Sequence, residues 1–212
     1  MTSKPFSDPA NTWDKRFSGT EYVFGTEPNA FLSSHRHLFG SGKTALSVGD
    51  GEGRNSVWLA QQGLVVDAFD ISPVGVAKAK QLAQGAGVAV NFNVSDCDGW
   101  NWKPTAYDYV VAIFVQFADP DMRHRLFSNI IKTLKPGGYL ILQGYTPKQL
   151  EFDTGGPGEL DNLYTEELLR SEFADLRIVE MNVYESDLNE GSRHRGPSAL
   201  IGMVAQLPPA AL

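Results

Sequence analysis

The sequence predicts an α/β domain built on a doubly wound, mostly parallel sheet, and three observations carry that expectation. A short apolar strand runs into a glycine loop and then a helix between Thr44 and Gln61. A second apolar strand ends in an acid at Asp70. Further apolar runs alternate with segments of helical periodicity until two C-terminal strands read as a hairpin. A strand that feeds a glycine loop and a helix is how such a sheet receives a nucleotide, because the loop lets backbone approach the ligand and the helix start offers unpaired N–H groups.

Residues 1–12, rich in Ser, Pro, Asn and Thr, read as a loose arm. Trp13, Phe17, Tyr22 and Phe24 then concentrate aromatics ahead of the first strand, either as a cover for one sheet edge or as a lid on a ligand. A short helix starting around Pro28 delivers the chain to the sheet. After the first strand, Val57, Leu59 and Ala60 give the next helix its buried side and Gly63 ends it. Pro73 to Gln84 is a second core helix with Val76, Ala79 and Ala83 at helical spacing, and Gly85-Ala-Gly87 stops it.

A third strand is expected from Val88 to Val94, and a fourth, apolar on both faces, from Tyr107 to Val115. Asp119-Pro-Asp121 caps the longest helix, running to Leu134, and Leu-Lys-Pro-Gly-Gly is a sharp turn into a fifth strand, Tyr139 to Gln143. Thr154 to Gly158 reads as a loop, either a flexible connection or a substrate-side segment. Thr165 to Phe173 is helix, Arg177 to Tyr184 strand, Asn189 to Gly196 a polar loop, and Ala199 to Ala205 the last strand.

Composition sets bounds. With 212 residues and 42% hydrophobic content, one domain with a sizeable core is expected, residues 1–40 forming an N-terminal arm and lid and 41–206 the sheet core. The net charge of −7 argues against an unaided nucleic-acid binder. The single Cys97 cannot make an intrachain disulfide, and neither a signal peptide nor a membrane-length apolar run is present, so a cytoplasmic protein away from membranes is expected. The histidines show no metal-ligand spacing, and no metal is expected.

The loop itself discriminates between nucleotide-binding classes. A dinucleotide fingerprint counted from Gly49 needs its third glycine at position 54, which is Arg54; the third glycine falls instead at Gly53. Gly49-x-Gly51-x-Gly53 after a first strand, with Asp70 ending the second, resembles motif I of the class I S-adenosylmethionine-dependent methyltransferases. That resemblance implies a Rossmann-like, seven-stranded sheet of order 3-2-1-4-5-7-6 in which strand 7 alone is antiparallel. Gly51-Glu-Gly53-Arg54-Asn55, the Leu-Lys-Pro-Gly-Gly turn, Gly155-Gly156-Pro157 and Glu190-Gly191 with His194 resemble more narrowly the tellurite-resistance-type and thiopurine-type branch.

The resemblance implies S-adenosyl-L-methionine as cofactor and S-adenosyl-L-homocysteine as product. The loop Gly49, Asp50, Gly51, Gly53 with Asn55 would receive the methionine part, Asp70 with Ile71 the ribose, and Asp96 with Cys97 the adenine. Phe114, Trp13 and Phe17 would border the cofactor. The residue types alone leave Asp96 open as a turn former and Cys97 as a small core filler. Motif I usually carries an acid where this chain has Ser47; Asp50 is positioned to replace its charge unless it points to solvent. For the acceptor, Phe114, Gln116, Phe117, the Thr154–Gly158 loop and Arg193, His194 and Arg195 are the candidates, the last three being either a solvated hairpin tip or an anion-holding, proton-accepting cluster. The reading is a methyltransferase, monomeric or homodimeric, acting on a small-molecule acceptor: a thiol, a tellurium or selenium oxyanion, or a small oxygen nucleophile. The alternative is a non-catalytic S-adenosylmethionine-binding protein.

Overall fold

The computed structural model describes residues 8–152 and 154–210. Among them are strands β1 (Thr44–Val48), β2 (Val65–Asp70), β3 (Asn91–Val94), β4 (Tyr107–Ile113), β5 (Leu134–Tyr145), β6 (Arg177–Glu190) and β7 (His194–Gln206). The α-helices are α1 (Pro9–Phe17), α2 (Ala30–Ser34), α3 (Arg54–Gln61), α4 (Pro73–Ala86), α5 (Pro120–Thr133) and α6 (Glu166–Glu172). The sheet has the expected order β3-β2-β1-β4-β5-β7-β6. All neighbours pair parallel except β7, which is antiparallel to both β5 and β6.

Strand alternation explains why the central strands are apolar throughout. Leu46, Val110, Leu142 and Met203 point into a core with Phe127 and Ile130 of α5 and Leu169 of α6. Their neighbours Ala45, Val111, Ile141 and Val204 point into a second core with Phe31 and Leu32 of α2 and Leu59 of α3. Each fully buried Leu, Ile or Phe contributes about 1.5–3 kcal/mol of transfer free energy, so both faces anchor the sheet. The chain reverses its winding between β1 and β4, and the crevice outside their carboxyl ends is where such sheets bind ligands.

Several boundaries differ from the sequence expectation, each for a physical reason. Of the expected loose arm, residues 1–7 lie outside the described residues. Residues 9–12 are helical, because the Asp8 carboxylate accepts the Asn11 N–H at 3.1 Å and Pro9 fits the first turn. Pro28 precedes α2 rather than starting it; Asn29 is the cap, its side chain accepting Leu32 N–H at 3.0 Å. Ala60 is only half-buried. Gly85 lies inside α4, whose end is set by Gly87 at φ +67°. Residues 88–90 precede β3, and β4 ends at Ile113. Helix α5 is no longer than α4, at 14 residues each.

The Leu-Lys-Pro-Gly-Gly segment lies inside β5 as an irregularity: Leu134 pairs with Tyr107, and the ladder resumes at Tyr139 with Tyr109. The polar stretch Asn189–Gly196 is mostly ladder, since β6 and β7 pair as far as Glu190 and His194 and leave residues 191–193 as the turn. Polar side chains do not oppose strand formation when one face of the hairpin is exposed.

Candidate active site

Beyond Val48 the chain turns through Gly49, Gly51 and Gly53 at φ +57°, +61° and +93°. A Cβ on Gly53 would lie 2.7 Å from that of Ala79, so this glycine serves close packing of the α3 start on α4. A Cβ on Gly51 would meet only the Phe17 ring, at 3.4 Å. Gly51 N–H donates to Asp70 Oδ2 and Ser72 N–H to Asp70 Oδ1, both at 2.9 Å. Burial pushes the Asp70 pKa up to about 6; the two N–H donors oppose the rise, and Asp50 and Asp14 add to it.

Asp50 turns inward rather than to solvent. Its Oδ1 accepts the Ser47 hydroxyl at 2.7 Å and its Oδ2 the Ser56 hydroxyl at 2.5 Å. Ser47, standing where motif I usually has an acid, thus orients the acid three positions later. Burial raises the Asp50 pKa against the pull of these hydrogen bonds.

A cavity of about 310 Å³ opens beside this loop. Every residue expected at the cofactor lines it except Gly53: Gly49, Asp50, Gly51, Asn55, Asp70 and Ile71 on one side, and Asp96, Cys97, Phe114, Trp13 and Phe17 around the rest. Asp96 also accepts the Gly99 N–H at 2.5 Å, so it shapes its turn and faces the cavity at once. Burial pushes the Cys97 thiol up to about 12, with Asp96 and Asp98 adding to the shift, which keeps it neutral.

The arm lies over this cavity rather than along edge strands β3 or β6. Trp13 and Phe17 stack with centroids 5.5 Å apart, and Phe24 meets Phe17 edge-on at 6.2 Å. The Lys78 ammonium donates to the carbonyls of Gly19 at 3.0 Å and Glu21 at 2.7 Å and pairs with Glu52, whose Oε2 accepts Val23 N–H at 2.7 Å. On the far side Ser192 N–H donates to Val23 O at 2.9 Å, and a Cβ on Gly191 would lie 2.3 Å from that carbonyl oxygen. The arm is therefore fastened both to α4 and to the β6–β7 turn.

A second cavity, of about 390 Å³, is walled by Gln116, Tyr145, Arg16, Arg193 and the loop from Gly155 to Glu159. Trp13, Phe24, Phe114, Phe117 and His194 line both cavities. Phe114 holds a strained backbone at φ +56°. The His194 ring lies 4.3 Å from that of Phe114 and 4.5 Å from that of Phe24. Burial pushes its pKa below the ordinary value, Arg54 works in the same direction and Glu190 opposes, so the imidazole is neutral at pH 7. Arg193 and Arg195 are exposed; Arg193 faces the second cavity, whereas Arg195 pairs in the ladder with Asn189 and lines neither.

Residues not expected from sequence hold this wall. Arg54 Nη1 lies 2.7 Å from Glu190 Oε2, with the Arg54 side chain buried and that of Glu190 mostly so. Glu190 Oε1 accepts from Asn29 Nδ2 at 3.0 Å and Ala30 N–H at 3.1 Å. Asn29 Nδ2 also donates to Gln143 Oε1 at 2.6 Å, and its N–H to Asn55 Oδ1 at 3.0 Å. The sequence signals for this network were the branch-like Gly51-Glu-Gly53-Arg54-Asn55 and Glu190-Gly191 with His194; no local spacing links Arg54 to Glu190.

A family profile described as "Methyltransferase domain" matches residues 45–138. The chain is 29% identical over 181 residues to a ribosomal protein L11 methyltransferase of Campylobacter concisus, covering 80% of this chain and 57% of that protein. It is 27% identical over 169 residues to the tRNA 5-carboxymethoxyuridine methyltransferase of Escherichia coli, covering 76% and 64%. The chain thus spans less than two thirds of the length of these relatives. Among solved structures, the N-methyltransferase NodS of Bradyrhizobium japonicum in complex with S-adenosyl-L-homocysteine superposes with a TM-score of 0.72 at 15% identity, over 95% of this chain and 100% of that one. TehB of Haemophilus influenzae gives 0.66 at 17% identity, over 93% and 66%. The glycine loop, the sheet order and the matched profile together make this chain similar to the class I S-adenosylmethionine-dependent methyltransferases.

Proposed function

We propose that the protein transfers a methyl group from S-adenosyl-L-methionine to a small-molecule acceptor: a thiol, a tellurium or selenium oxyanion, or a small oxygen nucleophile. The observation that carries this reading is the pair of cavities with one common wall of Trp13, Phe24, Phe114, Phe117 and His194. The first cavity has the donor set the cofactor requires: the Asp70 carboxylate at the end of β2, the inward Asp50 beside the glycine loop, and aromatic faces for a cationic sulfonium and an adenine. When bound, S-adenosyl-L-methionine supplies an electrophilic methyl group.

In this reading the glycine loop, Asp50 and Asn55 hold the amino-acid end, Asp70 and Ile71 the ribose, and Asp96 and Cys97 border the adenine. Trp13, Phe17 and Phe24 exclude water from the reacting atoms. His194, neutral at pH 7 and on the wall common to both cavities, is the side chain that takes the acceptor's proton. Arg193 stands at the acceptor side; Arg195, outside both cavities, has no part in the step. The net charge of −7 and the second cavity's volume of about 390 Å³ favour a small acceptor over the protein and tRNA substrates in the relatives' names. No described helix is long and apolar enough to cross a membrane.

The test is a panel of thiols, tellurite, selenite, small carboxylic acids and phenols, with S-adenosyl-L-homocysteine release as the readout. Turnover of a panel compound that falls on the order of 100-fold in His194→Ala supports the reading. Cofactor binding with no turnover of any compound supports the non-catalytic alternative.

A further inference from the structure

The His194 imidazole is held by the arm as well as by its own hairpin. Its ring contacts two phenyl rings, that of Phe114 at 4.3 Å and that of Phe24 at 4.5 Å. Phe24 reaches it from the other end of the chain and lines both cavities with it. Burial is the largest influence on the imidazole and pushes its pKa below the ordinary 6.5. The charged groups that act on it, Glu190 and Arg54, belong to β6 and α3 rather than to the arm. Around the common wall, Arg16 of α1 and Arg193 line the second cavity, and Asp50, Asp70 and Asp96 the first. What Phe24 brings to His194 is apolar cover.

The backbone next to Phe24 is fixed from two directions. Val23 N–H donates to Glu52 Oε2 at 2.7 Å, and Val23 O accepts Ser192 N–H at 2.9 Å. At the second of these contacts two glycines meet, Gly25 at φ +73° and Gly191 at φ +75°. A Cβ on Gly25 would lie 3.4 Å from Gly191 N, and one on Gly191 would lie 2.3 Å from Val23 O and 2.6 Å from Gly25 N. Arm and turn therefore meet backbone to backbone, at a separation that leaves no room for a side chain at position 191. Gly191 itself is not among the described residues that line either cavity. The same arm carries Trp13 and Phe17 over the first cavity.

We infer that Phe24 is a positioning residue for His194, seated by the Gly25–Gly191 contact, so that docking of the arm over the first cavity also completes the acceptor side. This rests on the proposed methyl transfer for its purpose, but the coupling it describes is measurable without turnover. It sets an order of events: the arm closes over the cofactor first, and the acceptor then meets an imidazole already in place. An imidazole released from Phe24 gains water and rotational freedom, which removes the alignment that proton transfer needs.

Two readouts on the full chain test this: the His194 titration followed by NMR without ligand, and amide exchange with and without S-adenosyl-L-homocysteine. Phe24→Ala should raise the His194 pKa toward the ordinary 6.5, and Phe24→Leu, which keeps apolar bulk, should raise it less. Gly191→Asn separates the contact from the turn, because asparagine tolerates a left-handed backbone while its Cβ meets Val23 O. It should raise the His194 pKa as Phe24→Ala does. In the wild type, bound S-adenosyl-L-homocysteine should slow exchange in residues 190–194 by about fivefold or more, together with residues 13–24, and Gly191→Asn should abolish the response of the turn. A His194 titration unchanged in Phe24→Ala, a turn that exchanges as fast with bound S-adenosyl-L-homocysteine as without it, or a Gly191→Asn chain that behaves as the wild type overturns the inference. The outcome is read separately from the proposed function: failure to bind S-adenosyl-L-homocysteine contradicts that proposal, whereas the titration is decided without any ligand.

Discussion

Arg54 Nη1 and Glu190 Oε2 lie 2.7 Å apart in a buried ion pair that joins the start of α3 to the end of β6. Through it the glycine loop and the hairpin carrying His194 are one electrostatic unit, although they come from opposite ends of the chain.

Breaking that pair should cost more than an ordinary surface change. Glu190→Gln leaves the Arg54 charge buried and uncompensated, and about 3–5 kcal/mol of stability should be lost in chemical denaturation. Burial alone would raise the Glu190 pKa, but His194, the Arg54 guanidinium and Ala30 N–H hold it at about 2, below the ordinary 4.5. Because the folded value is depressed, its contribution is complete above pH 4.5 and lost as pH falls toward 2. The difference in stability between wild type and Glu190→Gln should therefore shrink across that window.

Asp70 titrates in the opposite sense. Its folded pKa of about 6 lies above the ordinary 3.8, so the fold carries a penalty that is complete above pH 6 and relieved as pH falls toward 3.8. Cofactor binding draws on the charged form, so affinity for S-adenosyl-L-homocysteine should rise as pH passes from 5.5 to 7.5. Asp70→Ala should weaken binding roughly 10 to 100-fold, from charge-assisted hydrogen bonds worth about 1.5–3 kcal/mol, flatten this profile and leave the melting temperature little changed. An unaltered dissociation constant would remove Asp70 from the site.

Two glycines of one loop should fail in different assays. Gly53→Ala drives a Cβ against Ala79 at 2.7 Å and holds it at φ +93°, so it should lower stability by about 1–3 kcal/mol. Gly51→Val faces the first cavity and should abolish cofactor binding while the fold stays compact. Melting temperature and calorimetric affinity, measured on both variants, separate the two roles; retained binding in Gly51→Val would make the loop a turn only.

The arm is expected to act as a lid. Residues 13–24 should exchange amide hydrogens faster without cofactor than with it, because ligand contacts favour the closed arrangement. Trp13→Ala should lower cofactor affinity by about 1 kcal/mol or more. Equal protection in both states, with unaltered affinity in the variant, would make the arm a static cover fastened by Lys78 and Glu52.

What could be read from the sequence was what local chemistry dictates. The glycine spacing at 49, 51 and 53 and the acid at Asp70 located the crevice, because close backbone approach and a strand-end carboxylate need those residue types at those places. Helix α1 was missed although Asp8-Pro9 is a cap signal, since the polar composition around it outweighed two residues. The length of β6 and β7 was missed because Asn189, Glu190 and Arg195 look like loop residues until their backbone groups are paired. Gly53 reads as part of a ligand loop, yet its lack of a side chain serves Ala79. The pairing of Arg54, Asn29 and Glu190 could not be read, although branch-like motifs contain Arg54 and Glu190, because each partner is chosen by the fold rather than by its neighbours in sequence.

The most direct test of the cofactor site is a calorimetric titration of the full chain with S-adenosyl-L-homocysteine and, in parallel, with NAD. Saturable one-to-one binding of S-adenosyl-L-homocysteine and no heat from NAD is the predicted result. Equal binding of NAD, or no binding of S-adenosyl-L-homocysteine at millimolar concentration, would contradict it.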